Sequence, residues 1–230
     1  MKMRELKDIT EIFFKIGGYF GGFHKLLIRT GEQGTAVCAY HTEWGHEADS
    51  FSVKPFSDDD LKRLYLFLTE KLQVWNWNHE YINNKICDGT EWCLGFTFAD
   101  GSQHGINGVN DFPPMFDKLE KRFEKLYKEV FASRVSLSEI GKYLPLFEDV
   151  EGIPELMKLA ERQHCPVCGS DLIRIFYGMP TRETYKLVED NPGWFELGGC
   201  CCWGDERDAE FRCPECNLRF SRDLEQMKDE

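Results

Sequence analysis

Two short stretches, HCPVCGSD at residues 164–171 and FRCPECNLRF at residues 211–220, decide how the last third of this chain folds. Each contains the motif Cys-Pro-x-Cys, followed by a Gly or an Asn at which the backbone can turn back. The four cysteines are Cys165, Cys168, Cys213 and Cys216. Four thiolates in two such pairs form the ligand set of a structural zinc site. We therefore predict one zinc ion on these side chains, with no coordination position left open for catalysis.

Two disulfides or four free thiols are the alternative uses of these cysteines. The chain begins MKMRELKDIT, which lacks the apolar run and cleavage site of a secretory signal. No apolar stretch approaches the length of about 18 residues that a membrane span needs. We therefore expect a cytoplasmic protein, and a reducing cytoplasm favours metal binding over disulfides among its 10 cysteines.

The 44 residues between the two pairs must hold folded structure of their own. Simple zinc sites have only about 15–20 residues at this place. LIRIFYG at 172–178 is typical of a strand, and Thr181 can cap a helix over TRETYKLVED. The turn signal at 191–193 then leads into WFELGGCCCW. The pattern predicts strand, helix and strand within a small antiparallel sheet that carries the metal at one end.

Residues 163–221 resemble the zinc-ribbon proteins that carry a CPxCG knuckle. The resemblance rests on CPVCGSDLIRIFYGMP, on the later GGCC and on CPEC. It implies metal binding and a ribbon fold but no particular reaction, because ribbons bind nucleic acids, dock proteins or serve as scaffolds. Asn217 stands where this pattern usually has Gly, and Asn tolerates the left-handed backbone conformation. The resemblance does not extend to the residues before 163.

Three consecutive cysteines, Cys200, Cys201 and Cys202, lie between the two pairs. We expect them to be small buried apolar side chains, since free cysteines are often fully buried. An exchange of metal ligands or a redox-reactive thiol is the alternative. The neighbouring acidic residues at 205, 206 and 208 oppose a thiolate and therefore disfavour the redox interpretation.

Composition and charge limit the classes of partner. The 230 residues are enough for two domains, and the formal charge is −12. Residues 161–230 alone hold 9 basic and 15 acidic side chains. Nonspecific nucleic-acid binding draws its affinity from basic residues that displace counterions, so this balance disfavours it. The most basic helical stretch, KLEKRFEKLYK at 118–128, alternates in sign and is typical of a solvated helix face.

The N-terminal part predicts an α+β fold, an antiparallel sheet with helices on one face. Ser57 can cap a helix over 57–75, and a second helix follows Pro113-Pro114. Both helices carry an apolar stripe at helical spacing: Leu61, Leu64, Tyr65, Leu68, Leu72 and Trp75 in the first, Phe116, Leu119, Phe123, Leu126 and Val130 in the second. We expect three strands before the first helix and two more before the second. The predicted domains are 1–132, connecting helices over 133–162, and the ribbon over 163–230.

The glycine-rich stretch GGYFGG at 17–22 indicates bends in or before the first strand. A phosphate-binding loop is the alternative. The stretch lacks both the Gly-Lys-Ser/Thr ending and the Gly-x-Gly-x-x-Gly fingerprint that this function requires. We therefore interpret it as structural.

Histidines are the main candidates for catalytic chemistry in the N-terminal part; two of the acidic residues Asp88, Glu91, Asp100 and Asp111 could form an acid/base pair, but turns favour Asp in any case. His41 and His46 lie in HTEWGHE. In a strand, residues five positions apart face opposite sides, so this spacing disfavours a metal ion shared by the two histidines. His104 follows a hairpin turn at Asp100-Gly101 and is expected on the same face as Ile106, as a hydrogen-bonded histidine of the sheet rather than a catalyst. No catalytic residue is predicted, because no nucleophile-and-base arrangement is recognisable.

Three hypotheses for function follow. The first is a non-enzymatic protein-interaction module stabilised by one structural zinc ion, with another protein as its partner. The second is nucleic-acid binding through basic and aromatic side chains of the ribbon: Arg174, Phe176, Tyr177, Arg212, Arg219 and Arg222. The third is an enzyme with a site around His41, His46 and His104.

Overall fold

A computed structural model describes residues 5–18, 21–42, 48–83, 85, 89–133, 135–199 and 209–227. The chain divides into two compact units, Met1–Met157 and Lys158–Glu230. The predicted domain limits stay a prediction. Within the described ranges, no helix has the length and apolarity needed to cross a membrane.

The N-terminal unit is built on a sheet of seven strands. They are β1 (Ile9–Gly18), β2 (Gly22–Gly31), β3 (Gly34–Thr42), β4 (Ala48–Pro55), β5 (Glu80–Ile82), β6 (Glu91–Phe98) and β7 (Gln103–Val109). Their order across the sheet is β4-β3-β2-β1-β6-β7-β5. Neighbouring strands are antiparallel except β5 and β7, which run parallel. The predicted class, α+β with a largely antiparallel sheet, is confirmed.

The number of strands before the first helix was underestimated. Four strands precede it. The additional strand is β1, which ends at the first glycine pair, and β2 begins at Gly22. A side chain at Gly17 would collide with the backbone of Gly22, and Gly22 has a φ of +65°. Glycine therefore permits the tight turn that places β1 at the centre of the sheet. The short β5 is a third strand between the two helices, where two were expected.

Two helices cover one face of the sheet, as predicted. They are α1 (Asp58–Leu66), which continues as a wider helical turn over Phe67–Lys71, and α2 (Phe116–Ala132). The hydroxyl of Ser57 accepts a hydrogen bond of 3.1 Å from the backbone N–H of Asp60, which confirms the predicted cap. Both predicted helix stripes pack into one apolar core with alternate residues of the strands. Ser52 in β4 donates a hydrogen bond of 3.1 Å to the carbonyl of Val130 and ties α2 to the sheet.

A second layer lies on the opposite face of the sheet, where only connecting helices were expected. It contains α3 (Leu137–Ile140) and a 3-10 helix over Gly141–Phe147. Arg29 in β2 donates a hydrogen bond of 2.8 Å to the carbonyl of Leu146 and one of 2.9 Å to Asp149. The next helix is α4 (Ile153–Ala160).

The C-terminal unit contains a five-stranded sheet with one helix. Its elements are β8 (Ile173–Tyr177), α5 (Arg182–Asp190), β9 (Phe195–Gly199), β10 (Phe211–Arg212), β11 (Arg219–Phe220) and β12 (Gln226–Met227), and the strand order is β12-β11-β10-β8-β9. The strand, helix and strand predicted between the cysteine pairs are β8, α5 and β9. Thr181 caps α5 as predicted, by accepting a hydrogen bond of 3.3 Å from the N–H of Thr184.

One strand pair departs from the predicted antiparallel sheet. β8 and β9 are parallel, while the other neighbours in this sheet are antiparallel. The cause is α5, which carries the chain back so that β9 runs in the same direction as β8.

Candidate metal centre

The four cysteines of the two motifs meet at one place in the C-terminal unit. The sulfur atoms of Cys165, Cys168, Cys213 and Cys216 all lie within 4.8 Å of one another. The Sγ atoms of Cys165 and Cys216 are 3.9 Å apart, and those of Cys168 and Cys213 are 3.6 Å apart. A disulfide needs a sulfur–sulfur distance of about 2.05 Å, so these contacts are not disulfide bonds.

The two cysteine pairs sit in backbone turns with the same hydrogen-bond pattern. In the first turn, the N–H of Gly169 donates to the carbonyl of Cys165, and the N–H of Cys165 donates to the carbonyl of Ser170. In the second turn, the N–H of Asn217 donates to the carbonyl of Cys213, and the N–H of Cys213 donates to the carbonyl of Leu218. The residue after each pair has a positive φ, +77° for Gly169 and +56° for Asn217. Glycine and asparagine are the residues that adopt this conformation most readily, which explains why the sequence has them here.

The spacing of the sulfurs fits a tetrahedral metal ion. With zinc–sulfur bonds of about 2.3 Å, two sulfurs of a regular tetrahedron lie about 3.8 Å apart. The distances of 3.6 and 3.9 Å lie on either side of this value. The backbone N–H of Cys216 also donates to the sulfur of Cys213 over 3.3 Å. Such an N–H stabilises the negative charge of a thiolate, so the turn favours the deprotonated form of the sulfur that binds a metal cation.

The sulfurs stand beside a small apolar core. Cys165 and Cys213 are buried, Cys216 is partly buried and Cys168 is exposed. The buried pair packs with Leu172, Phe211 and Phe220. A core of this size contributes little stability on its own, and small domains often use a metal ion to compensate.

The thiol groups of the cluster differ in acidity. The hydroxyl and the backbone N–H of Ser170 stabilise a thiolate at Cys168 and lower the pKa of this side chain to about 6. The pKa of Cys216 is raised, because its thiol hydrogen-bonds to Cys168 and is partly withdrawn from water. Four neighbouring sulfurs cannot all lose their protons without a compensating cation, which is the condition that a divalent metal relieves.

Two other described thiols have the opposite character. Burial raises the pKa of Cys38 to about 12 and also raises the pKa of Cys93. Both side chains therefore stay protonated near neutral pH. Cys200, Cys201 and Cys202 lie outside the described residues, so their predicted burial stays a prediction.

The histidines of the enzyme hypothesis are not brought together. His41 lies on β3 and His104 on β7, four strands apart in the sheet and therefore separated by at least about 19 Å. The third, His46, lies outside the described residues. His104 shares the face of Ile106 as expected, but its ring packs against Trp75, with ring centroids 5.2 Å apart. Within the described ranges its Nε2 atom has no hydrogen-bond partner, so the expectation of a hydrogen-bonded histidine is wrong for this atom.

A different histidine pair was missed from the sequence. His24 on β2 is the direct cross-strand partner of His41, and their ring centroids lie 5.0 Å apart. The ring of Tyr127 in α2 lies 4.6 Å from that of His24. The hairpin turn between Gly31 and Gly34 contains the missing signal, because counting outward from it pairs residues 24 and 41.

Several arginines of the C-terminal unit are held in ion pairs. Arg212 pairs with Glu196 at 2.6 Å. Glu210 pairs with Arg174 at 3.5 Å and with Arg222 at 3.0 Å. These carboxylates reduce the positive potential that the three guanidinium groups would offer to a phosphate backbone.

Comparisons with protein-family models, with curated proteins and with solved structures found no match to this chain. The function proposed for it therefore rests on the geometry of its own residues.

Proposed function

We propose that this chain is a zinc-binding protein whose C-terminal unit is a zinc ribbon of the CPxCG type, held by one structural ion. The observation that supports it is the pair of matched turns that bring four sulfurs to the spacing of a tetrahedral site. Cys165, Cys168, Cys213 and Cys216 are the proposed ligands. Four sulfur ligands fill the coordination of zinc, so the ion has no position for water or substrate.

The role of the ion in this proposal is to stabilise the fold. The second turn lies between β10 and β11, strands of only two residues each, while the first turn precedes β8. The β10–β11 pair has too few hydrogen bonds to persist alone in water. Bonds from one ion to both turns fix the ends of the sheet relative to each other.

Metal analysis of the purified full chain tests the proposal. We expect one zinc per chain in the wild type and in Cys93→Ser, a control that changes a thiol outside the cluster. Cys216→Ser is expected to purify with much less than one zinc. Iron with visible absorption in place of zinc would overturn the choice of metal, because tetrahedral thiolate sites also suit iron. Full zinc content in Cys216→Ser would overturn the ligand assignment.

We further propose that the protein is a non-enzymatic, cytoplasmic interaction module that binds a basic surface of another protein. The charge of −12 supports this choice, since charge complementarity speeds and selects association. The ion pairs on Arg174, Arg212 and Arg222 further disfavour the nucleic-acid alternative.

Isolation of the tagged protein from its native cell, with and without nuclease, tests this second proposal. We expect one stoichiometric protein that survives nuclease and dissociates as salt is raised, because screening weakens contacts between opposite charges. The same partner should then bind the purified chain in a two-component assay. A partner that disappears on nuclease treatment would instead support nucleic-acid binding through the ribbon.

A further inference from the structure

A half-open cavity lies in the N-terminal unit between the β1–β2 hairpin and α2. Its volume is about 330 Å³, within the range of small-molecule sites. The apolar part of its wall consists of Phe14, Ile16, Leu26 and Phe123. The rings of Phe14 and Phe123 stack with centroids 4.4 Å apart, and both are almost fully buried, so this wall is rigid.

Glycine backbone forms the side of the cavity at the end of the hairpin. Gly17, Gly18 and Gly22 line it, and a side chain at any of them would collide with neighbouring backbone. Among the described residues, this side of the cavity is therefore lined by backbone. A ligand here would contact peptide groups directly.

The polar side chains on the rim give the cavity a negative character. Those of Glu120 and Glu124 project from α2, and the described lining residues include no lysine or arginine. Glu124 is paired with Lys128, while Glu120 has no ion-pair partner within the described ranges. His24 adds no positive charge near neutral pH, because burial and the nearby His41 lower its pKa. Burial raises the pKa of Tyr127 to about 12, so its hydroxyl stays neutral.

A neighbouring cavity of about 450 Å³ shares Thr90 and Glu120 with the first and adds Asp117. The acidic residues at 117, 120 and 124 are spaced by three and four, so they follow one face of α2. Asp117 pairs with Lys121 at 3.7 Å. Glu120 therefore stands at the junction of the two cavities as the carboxylate without a paired lysine in the described structure.

We propose that this cavity binds a small organic cation, a protonated amine on an apolar body. The apolar body would pack against the wall of Phe14, Ile16 and Phe123. The ammonium group would face the carboxylates of Glu120 and Glu124 on the rim. These carboxylates disfavour anions, and neutral molecules gain only the apolar contact.

Titration calorimetry of the full chain with benzylamine tests the proposal, with benzyl alcohol as a neutral probe of nearly the same shape. We expect benzylamine to bind at least about tenfold more tightly than benzyl alcohol, the ratio that about 1.4 kcal/mol of charge attraction produces. Equal affinity of the two probes, or no heat from benzylamine at millimolar concentrations, would overturn the proposal.

The double variant Glu120→Gln, Glu124→Gln locates the site. Both side chains are exposed and polar, so we expect the fold to persist and benzylamine affinity to fall to that of benzyl alcohol. Glu129→Gln is the control for the single variant Glu120→Gln, since each removes one negative charge from α2 and Glu129 lies outside this cavity. Retained affinity in the double variant, or an equal loss in the control, would show nonspecific attraction and overturn the assignment.

Discussion

Gly169 and Asn217 occupy the same place in two turns that otherwise match, and only one of them lacks a Cβ atom. Their φ values are +77° and +56°. In Asn217→Val, a branched side chain must adopt the left-handed conformation, which costs about 1–2 kcal/mol. We expect the zinc-loaded C-terminal unit to lose about this much stability, while Asn217→Gly leaves it unchanged or slightly more stable. Urea unfolding of both variants measures the difference, and equal stability of Val and Gly at this position would contradict it.

His104 sets a pH dependence on the N-terminal unit. Burial and the neighbouring His79 lower the pKa of His104 below its ordinary value near 6.5. Above that value the ring is neutral in both states and contributes no pH dependence. As the pH falls below it, the unfolded chain takes up the proton first, so the folded state loses stability until the pH passes the folded pKa.

The variant His104→Phe separates this contribution from the rest of the unit. Phenylalanine keeps the packing against Trp75 and removes an Nε2 atom that has no partner within the described residues. We expect the wild type to lose stability between about pH 7.5 and pH 5, and the variant to lose less of it. His164→Gln, an exposed histidine of the other unit, is the control. Urea unfolding followed by hydrogen exchange of β6 and β7 reports the N-terminal unit alone, and parallel losses in wild type and variant would contradict the prediction.

At the scale of elements, local patterns were enough for helices and hairpins. The two amphipathic stripes, the cap at Ser57 and the turn at Asp100-Gly101 depend on residues close in sequence, and the structure has all of them. The same logic extends to the His24–His41 pair, because the register of a hairpin follows from its turn. The pairing of β1 with β6 has no such signal. It joins residues such as Ile12 and Phe96, with four other strands and the helix α1 lying between them in the chain.

One arginine links the layer on the second face to two strands of the sheet. Arg29 binds Glu11, Asp149 and the carbonyl of Leu146, so it links β1 and β2 to the 3-10 helix. These hydrogen bonds also hold the pKa of Asp149 below its usual value. Nothing in the sequence indicates this role of Arg29, since two of its partners, Leu146 and Asp149, lie more than a hundred residues away in the chain.

Arg29→Met tests how much that contact contributes. The variant leaves the largely shielded carboxylate of Glu11 without its partner and breaks the hydrogen bond to Leu146. We expect the N-terminal unit to lose about 2 kcal/mol, the scale of hydrogen bonds to charged groups. Arg63→Met is the control, because its ion pair with Asp60 is exposed and should change stability by less than about 0.5 kcal/mol. Similar losses in both variants, measured by urea unfolding, would contradict the role assigned to Arg29.

For the whole molecule, the sequence was most informative where covalent spacing restricts geometry. Two Cys-Pro-x-Cys motifs restrict the backbone enough that the meeting of their four sulfurs could be predicted without knowing the fold between them. The cavity beside α2 had no such signal, because its wall combines β1, β2 and α2 and therefore depends on tertiary packing. Sites whose ligands lie in short motifs of fixed spacing are predictable in this way, and sites formed only by the packing of several elements are not.

Loss of the metal site should unfold the C-terminal unit without unfolding the N-terminal unit. Zinc binding to small cysteine sites supplies about 10–16 kcal/mol, which is comparable to or larger than the whole stability of a small domain, about 5–15 kcal/mol. Cys216→Ser should therefore unfold the C-terminal unit, whose core around Phe211 and Phe220 is small. The N-terminal unit has its own extended core and no ligand in the cluster, so it should stay folded.

Hydrogen exchange read by mass spectrometry resolves the two outcomes within one sample. We expect Cys216→Ser to lose protection over β8 to β12 and to keep it over β1 to β4, β6 and α2, while Cys93→Ser keeps protection in both units. Retained protection over β10 and β11 in Cys216→Ser would mean that the turns hold without the metal. Lost protection over β1 and β2 would mean that the N-terminal unit depends on the ribbon. In either case the site would have a different role from the one its geometry supports, which is to stabilise one unit alone.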